Sequence, residues 1–472
     1  MRSNRAHPQV GALPKVWLNR VEFLFVALGF LIISGIAVRF ANERIYADAA
    51  YFLMHVAEER SFHVINGRWI IVLTQWLPVI GTRLDLPMQV LIGLFSIGNV
   101  ALLAAGFAFV TFKLKDRAAG LTLIAVQFIG LAHAHFCPIF EFYYGALLLI
   151  VFHAVLRTDK LMPWFRWTLL SVLFVLVISS HFMGMLVMGL ILVMERIWTD
   201  RRLLLWLIVL LVAHLLIRTL FMTAYEANAF RSVLIRLDLL GVLWTLSPGR
   251  IWAQLSNAIH QYPDTLALSI LATALLVRKA DRWGLMIFLA GISIIYVLTS
   301  LYLPDATQSY YREIVDYPAT VWVLIVILTR ILPEEWNRLP YALLLLCALC
   351  FRSDRFNTVS STYSERVEGM ETFINQAELQ GVRRGLVHPG PPLLPPGFRV
   401  APIAPVSPME VLLLSARRGP DAALVLIPLT PSNAHLDAAQ LDEQLAQEGL
   451  EFPTDVNGVY FHMPTGPFTE LK

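Results

Sequence analysis

Apolar runs of membrane-crossing length recur along this chain, and no other feature restricts its fold so strongly. About 30 Å of hydrocarbon is crossed by roughly 20 helical residues. Runs that approach or reach this length occupy 21–40, 86–112, 118–136, 142–156, 167–179, 182–194, 203–222, 264–277, 283–303, 317–332 and 339–351. Composition agrees: 57% of the 472 residues are hydrophobic and only 15% are charged, against roughly 25% in soluble domains. Such a chain cannot cover itself with charge in water, which excludes an ordinary soluble enzyme. The expected fold is an α-helical polytopic membrane protein with about eleven transmembrane helices.

Charge placement sets the expected orientation. With a cytoplasmic N-terminus, Arg20, Lys113, Lys115, Arg117, Arg157, Lys160, Arg166, Arg196, Arg201, Arg202, Arg278, Lys279 and Arg282 fall in short inner loops, while the short outer turns 137–141 and 180–181 carry no cation. The run 69–80 contains Pro78 and is too short to span, so it reads as an interfacial helix. The chain then divides into a transmembrane domain, 1–351, with long outer loops at 41–85 and 223–263, and a C-terminal extracytoplasmic α/β domain, 352–472. Within the tail, 365–380 and 436–448 read as helices and 421–429 and 458–463 as buried strands. Between them lies a proline-rich stretch, 389–408. A formal charge of +3, with no basic tail, gives no reason to expect nucleic acid as a partner. Three cysteines cannot make a disulfide framework.

Ionisable residues near lipid are costly and therefore informative. Asp48 follows the first run by eight residues, among Tyr46, Ala47, Ala49, Ala50 and Tyr51, with His55 one or two helical turns on. A carboxylate among small and aromatic residues suits a general base that approaches a hydroxyl closely; it equally suits a helix N-cap. Glu141 stands at the mouth of the fourth run, after His133 and His135, where it could serve substrate or metal or simply anchor in headgroups. His181 occupies the tight turn between two short runs. Arg312, beside Tyr310 and Tyr311, could clamp a lipid phosphate or pair with Asp316 one turn away.

Together, the YAD of 46–48, the PIFEF of 138–142 and the YYRE of 310–313, in this topology, resemble the GT-C superfamily of polytopic glycosyltransferases, of the protein O-mannosyltransferase and aminoarabinose-transferase types. The resemblance implies transfer of a sugar from a polyprenyl-phosphate donor to a lipid, glycan or protein acceptor on the extracytoplasmic face. It implies that Asp48 is the catalytic base and Glu141 a second acid positioning acceptor or metal. Arg312 would bind the donor phosphate, with Tyr311, His55 and His181 also contacting substrate. A divalent metal ion is a possible cofactor, with no ligand set assigned. Asp48 is followed by Ala49, whereas many members carry adjacent acids there. A transporter or flippase, using His214 and Arg218, and a non-enzymatic envelope assembly factor are the alternatives.

Overall fold

The computed structural model describes residues 15–65, 67–220, 239–302, 309–331, 338–387, 407–428, 458–462 and 468–471, with three single positions between 221 and 238. Helix α1 (Lys15–Arg39) leads through a short 3-10 turn into α2 (Asp48–Glu59) and α3 (Val72–Arg83). The bundle continues with α4 (Met88–Ala108), α5 (Arg117–Ala125), α6 (Glu141–Leu156), α7 (Pro163–Ser180), α8 (Phe182–Met194) and α9 (Arg201–Leu220). After it come α10 (Leu239–Thr245), α11 (Pro248–Gln261), α12 (Pro263–Arg278), α13 (Arg282–Tyr302), α14 (Ser309–Val326) and α15 (Arg338–Leu379).

The protein is a helical membrane protein. Among the described residues six helical stretches are long and apolar enough to cross a bilayer: Arg20–Arg39, Met88–Lys113, Pro163–Ser180, Arg201–Leu220, Arg282–Leu301 and Arg312–Ile331. α6 and α8 are shorter apolar helices. Surface chemistry agrees with the count. α9 leaves Leu205, Val209, Val212 and Leu216 uncovered by protein, as a helix facing lipid does. α6, by contrast, buries every residue from Phe142 to Leu156 and forms the centre of the bundle. The run at 118–136 is helical only to Ala125; it then turns through Gly130, at φ 77°, into a short 3-10 helix, His133–Phe136.

Outside the crossing set, α3 with its preceding turn and α11 leave apolar surface uncovered. The segment expected to be interfacial forms a 3-10 turn, Trp69–Ile71, followed by α3, and exposes Trp69, Trp76 and Ile80. α11 exposes Ile251, Trp252, Leu255 and Ile259, an i, i+1, i+4, i+8 stripe, while Gln254 and Asn257 turn toward α14. This distribution suits helices lying in the plane of the interface.

The C-terminal part departs from the expected layout in three ways. The apolar run 339–351 and the helix expected at 365–380 are one unbroken helix, α15, of 42 residues. At 1.5 Å per residue it is about 63 Å long, twice the hydrocarbon thickness. The boundary drawn at 351/352 therefore falls inside a helix, because a change from apolar to charged residues does not require a break when neither Gly nor Pro lies near it, and none occurs from Tyr341 to Glu368. Secondly, the sheet is small and wholly parallel: β1 (Arg384–Val387) pairs with both β2 (Val425–Pro428) and β3 (Thr469–Glu470). β2 answers the strand expected at 421–429, and α16 (Ser407–Ala416) packs on it as the crossover of a βαβ unit. Thirdly, the stretch expected as a strand at 458–463 buries Tyr460 and Phe461 in irregular chain, and the third strand is Thr469–Glu470. The helix expected at 436–448 and most of the proline-rich stretch lie outside the described residues. None of the three cysteines forms a disulfide.

Candidate functional site

Asp48 at the start of α2, Glu141 at the start of α6, His181 at the end of α7 and Arg218 near the end of α9 meet at one end of the bundle, as the antiparallel alternation of α6 and α7 requires. The opposite end carries Lys115, Arg117, Arg157 and Lys160, which line one wide recess. The carboxylates and the loop cations are thus separated by the length of α6.

Asp48 begins α2 but does not cap it. The N-cap position belongs to Ala47, which offers no side-chain acceptor. Ala47 sits at φ 54°, ψ −129°, a conformation that glycine adopts freely and an L-residue only under strain. Its amide donates to Glu410 Oε1 at 3.1 Å, and Glu410 is itself paired, fully buried, with Arg366. The Arg366 guanidinium lies over the Tyr46 ring, 4.6 Å from its centroid. The turn presenting Asp48 is therefore held from outside the first loop, by α15 and α16.

On α2 the residues left partly or fully uncovered are Asp48, Tyr51, His55, Glu58 and Glu59; the rest face the core. Spacing of three to four makes them one stripe. Asp48 keeps accessible surface, yet protein surrounds it densely enough that desolvation leads the influences on its carboxyl. With the Glu141 charge adding and Arg68 opposing, the pKa is pushed up to about 6. The two facts place Asp48 in a partly open recess in which most of the surrounding volume is protein. Among the described residues nothing donates a hydrogen bond to this carboxylate.

Facing it, Arg68 Nη1 donates to Glu141 Oε1 at 2.7 Å. Both side chains are partly covered, at 28% and 16% exposure, so the pair is neither a solvated surface bridge nor a core one. His181 caps α8 by accepting from the Met183 amide at 3.2 Å through Nδ1. Burial, helped by the charges of Arg68 and Arg218, pushes its pKa down to about 3, leaving it neutral at physiological pH. Asp48, Glu141, Arg68, His181 and Arg218 are thus electrostatic neighbours.

Arg312 is engaged elsewhere. Its Nε donates to Asp316 at 2.9 Å and its Nη2 to Gln254 of α11, while Asn257 also donates to Asp316 at 3.1 Å. The i, i+4 alternative open in the sequence describes this contact. The side chain of Tyr311 lies outside the described residues. Neighbouring Glu313 is buried and accepts from the amides of Ala132, His133 and Ala134 at 2.7–3.0 Å, fixing the loop that ends in Glu141. His133 Nδ1 contacts the Tyr363 hydroxyl at 3.2 Å, and His135 is buried against Phe356; the two imidazoles do not converge on Glu141.

His55 belongs to a different group. Its ring stacks on His63, centroids 4.1 Å apart and 8° from parallel, beside Glu59 and Tyr51. The residues that sequence reasoning passed over are Arg68, His63 and Glu59. The H-x3-E-x3-H spacing of 55–63 was a usable signal; for Arg68 there was none, because its partner lies 73 residues away. No protein-family model, curated protein or solved structure matches this chain.

Proposed function

We propose that the protein is an integral-membrane glycosyltransferase of the GT-C type, transferring a sugar from a polyprenyl-phosphate donor to an acceptor hydroxyl in the Asp48 recess. The observation that carries this reading is Asp48 itself: accessible, without a hydrogen-bond donor among the described residues, raised to about 6, and presented by a strained turn beside a membrane helix. A structural carboxylate is normally paired; an unsatisfied one near neutral pKa is poised to take a proton.

In the proposed reaction Asp48 removes the acceptor hydroxyl proton as that oxygen attacks the anomeric carbon. The bond from that carbon to the phosphate oxygen breaks, and the polyprenyl phosphate leaves with its electrons. Arg68 and Arg218 offset the charge developing there. They take over the part implied for Arg312, whose guanidinium is committed to Asp316 and Gln254. Glu141 orients Arg68 and raises the basicity of Asp48. Under this reading the chain crosses about eleven times with its N-terminus cytoplasmic, and recess and tail share the extracytoplasmic side. Arg218 acts on His181 at the Asp48 end of the bundle, which gives a midplane transport pathway through it little support.

The test is turnover of a panel of polyprenyl-phosphate sugars by protein reconstituted in vesicles, with Asp48→Asn as comparison. Release of polyprenyl phosphate by wild type and its loss in the variant are expected. Failure to turn over any donor, with lipid or solute crossing the bilayer equally in both proteins, would reverse the reading.

A further inference from the structure

The far end of the α2 stripe carries a second constellation, independent of the proton chemistry at Asp48. His55 and Glu59 stand at i, i+4 on one face of α2. The helix then ends at Arg60, in the left-handed region at φ 53°, and the chain folds back to bring His63 over both. His55 Nδ1 lies 3.3 Å and His63 Nδ1 2.7 Å from Glu59 Oε1, and all three ligand atoms fall within 4.8 Å of one another.

We propose that His55, Glu59 and His63 bind one zinc-class divalent ion, with water as the fourth ligand. Two imidazoles and one carboxylate are a zinc donor set, and hard oxygen-seeking ions such as magnesium or calcium would not choose it. Bond lengths of about 2.0–2.1 Å put tetrahedral ligand atoms about 3.3 Å apart. The His55–Glu59 distance already meets this, and the His63 ring need only swing off Glu59 by about half an ångström.

The surroundings resemble a built site more than a chance surface contact. The Tyr51 hydroxyl lies 3.2 Å from His63 Nε2, so it can accept that N–H and leave Nδ1 with its lone pair for the ion. The His63 backbone is held from both sides by buried Gln75, whose amide oxygen accepts from His63 N at 2.8 Å and whose amide nitrogen donates to His63 O at 2.7 Å. The turn itself is pinned by Arg60, which donates to the Thr82 carbonyl and, at 2.6 Å, to Asp85. Asp48 is seven residues away, about 10 Å along the helix, too far to share a reacting atom with the ion. The ion would instead fasten the end of α2 to the chain that continues into Arg68, and so fix Asp48 relative to Arg68.

The experiment uses the full-length protein, purified in detergent through a tag without histidine, stripped with a chelator and dialysed against low-micromolar zinc(II). Metal analysis should give one zinc per chain, with a raised melting temperature. His55→Gln and His63→Gln should lose the ion, Tyr51→Phe should bind about tenfold more weakly, and His181→Gln should retain it. Cobalt(II) added to stripped wild type should give the ligand-field bands of a tetrahedral nitrogen and oxygen site, a readout that does not depend on any variant folding. Wild type that retains no zinc and gives no such bands, or a folded His63→Gln protein with full zinc content, would overturn the proposal. Neither result bears on glycosyl transfer, which is assayed separately through Asp48.

Discussion

The amide of Ala47 donates a 3.1 Å hydrogen bond to Glu410, joining the first loop to a helix 363 residues further along the chain. Because Glu410 is also the buried partner of Arg366, the tail holds the backbone immediately before Asp48 in a conformation that alanine disfavours. The C-terminal part is thereby a structural component of the recess.

This brace can be weakened from either side. Glu410→Ala leaves the Arg366 charge buried without its partner and should cost about 3–5 kcal/mol, read as a fall in chemical or thermal midpoint. Ala47→Gly relieves a strain of about 1–3 kcal/mol, partly offset by about 0.4–1 kcal/mol of added unfolded-state entropy, so stability should hold or rise. Ala47→Val should destabilise, since the site is buried as well as left-handed.

Asp48→Asn separates the general-base role from the helix-cap role. Asn caps a helix as well as Asp does, so a cap role alone would leave the variant as stable as wild type at every pH. The geometry predicts a pH-dependent difference instead, because a carboxyl raised from 3.8 to about 6 on folding stabilises the fold fully below pH 4 and loses that contribution as pH rises through 6. Melting temperatures of wild type and variant should converge near pH 4, with the variant the more stable above pH 6, while transfer is abolished.

The acid limb of the transfer rate reports the same group. Activity should fall about tenfold per unit as pH drops below about 6, since the base must be ionised. Glu141→Gln removes the charge that raises Asp48 and should move the limb to lower pH. Arg68→Gln removes the charge that lowers it and should move the limb upward, with a loss of kcat. Limbs that coincide in all three proteins would mean that another group controls the rate.

A buried ion pair helps fasten the long helix to the bundle. Arg352 donates from Nε and Nη2 to both oxygens of Asp264, at 2.7 and 2.6 Å, with 3% of each side chain exposed. Arg352→Met or Asp264→Leu alone should cost about 3–5 kcal/mol, and the double variant substantially less than the sum, because neither charge is then left without its partner. A double-mutant cycle on unfolding in mixed micelles measures the coupling.

Periodicity and charge determined much of this protein without tertiary help. A run of 20 apolar residues has few structures open to it in lipid, and those at 21–40, 86–112, 203–222 and 283–303 each coincide, over most of their described residues, with a helix of crossing length. The carboxylate eight residues past the first run was equally legible, since an isolated acid near lipid needs a reason. Tertiary structure decided which charges meet. Arg68 reaches Glu141 across 73 residues, whereas Arg312, which local chemistry suggested for a phosphate, is satisfied one turn away by Asp316. It also decided that 339–351 and 365–380 are one helix and that Glu410 holds Ala47. Hydropathy is a property of neighbouring residues and survives in the sequence; the pairing of buried charges depends on which helix ends the packed core of α6 and α14 brings together, and only the assembled bundle specifies that.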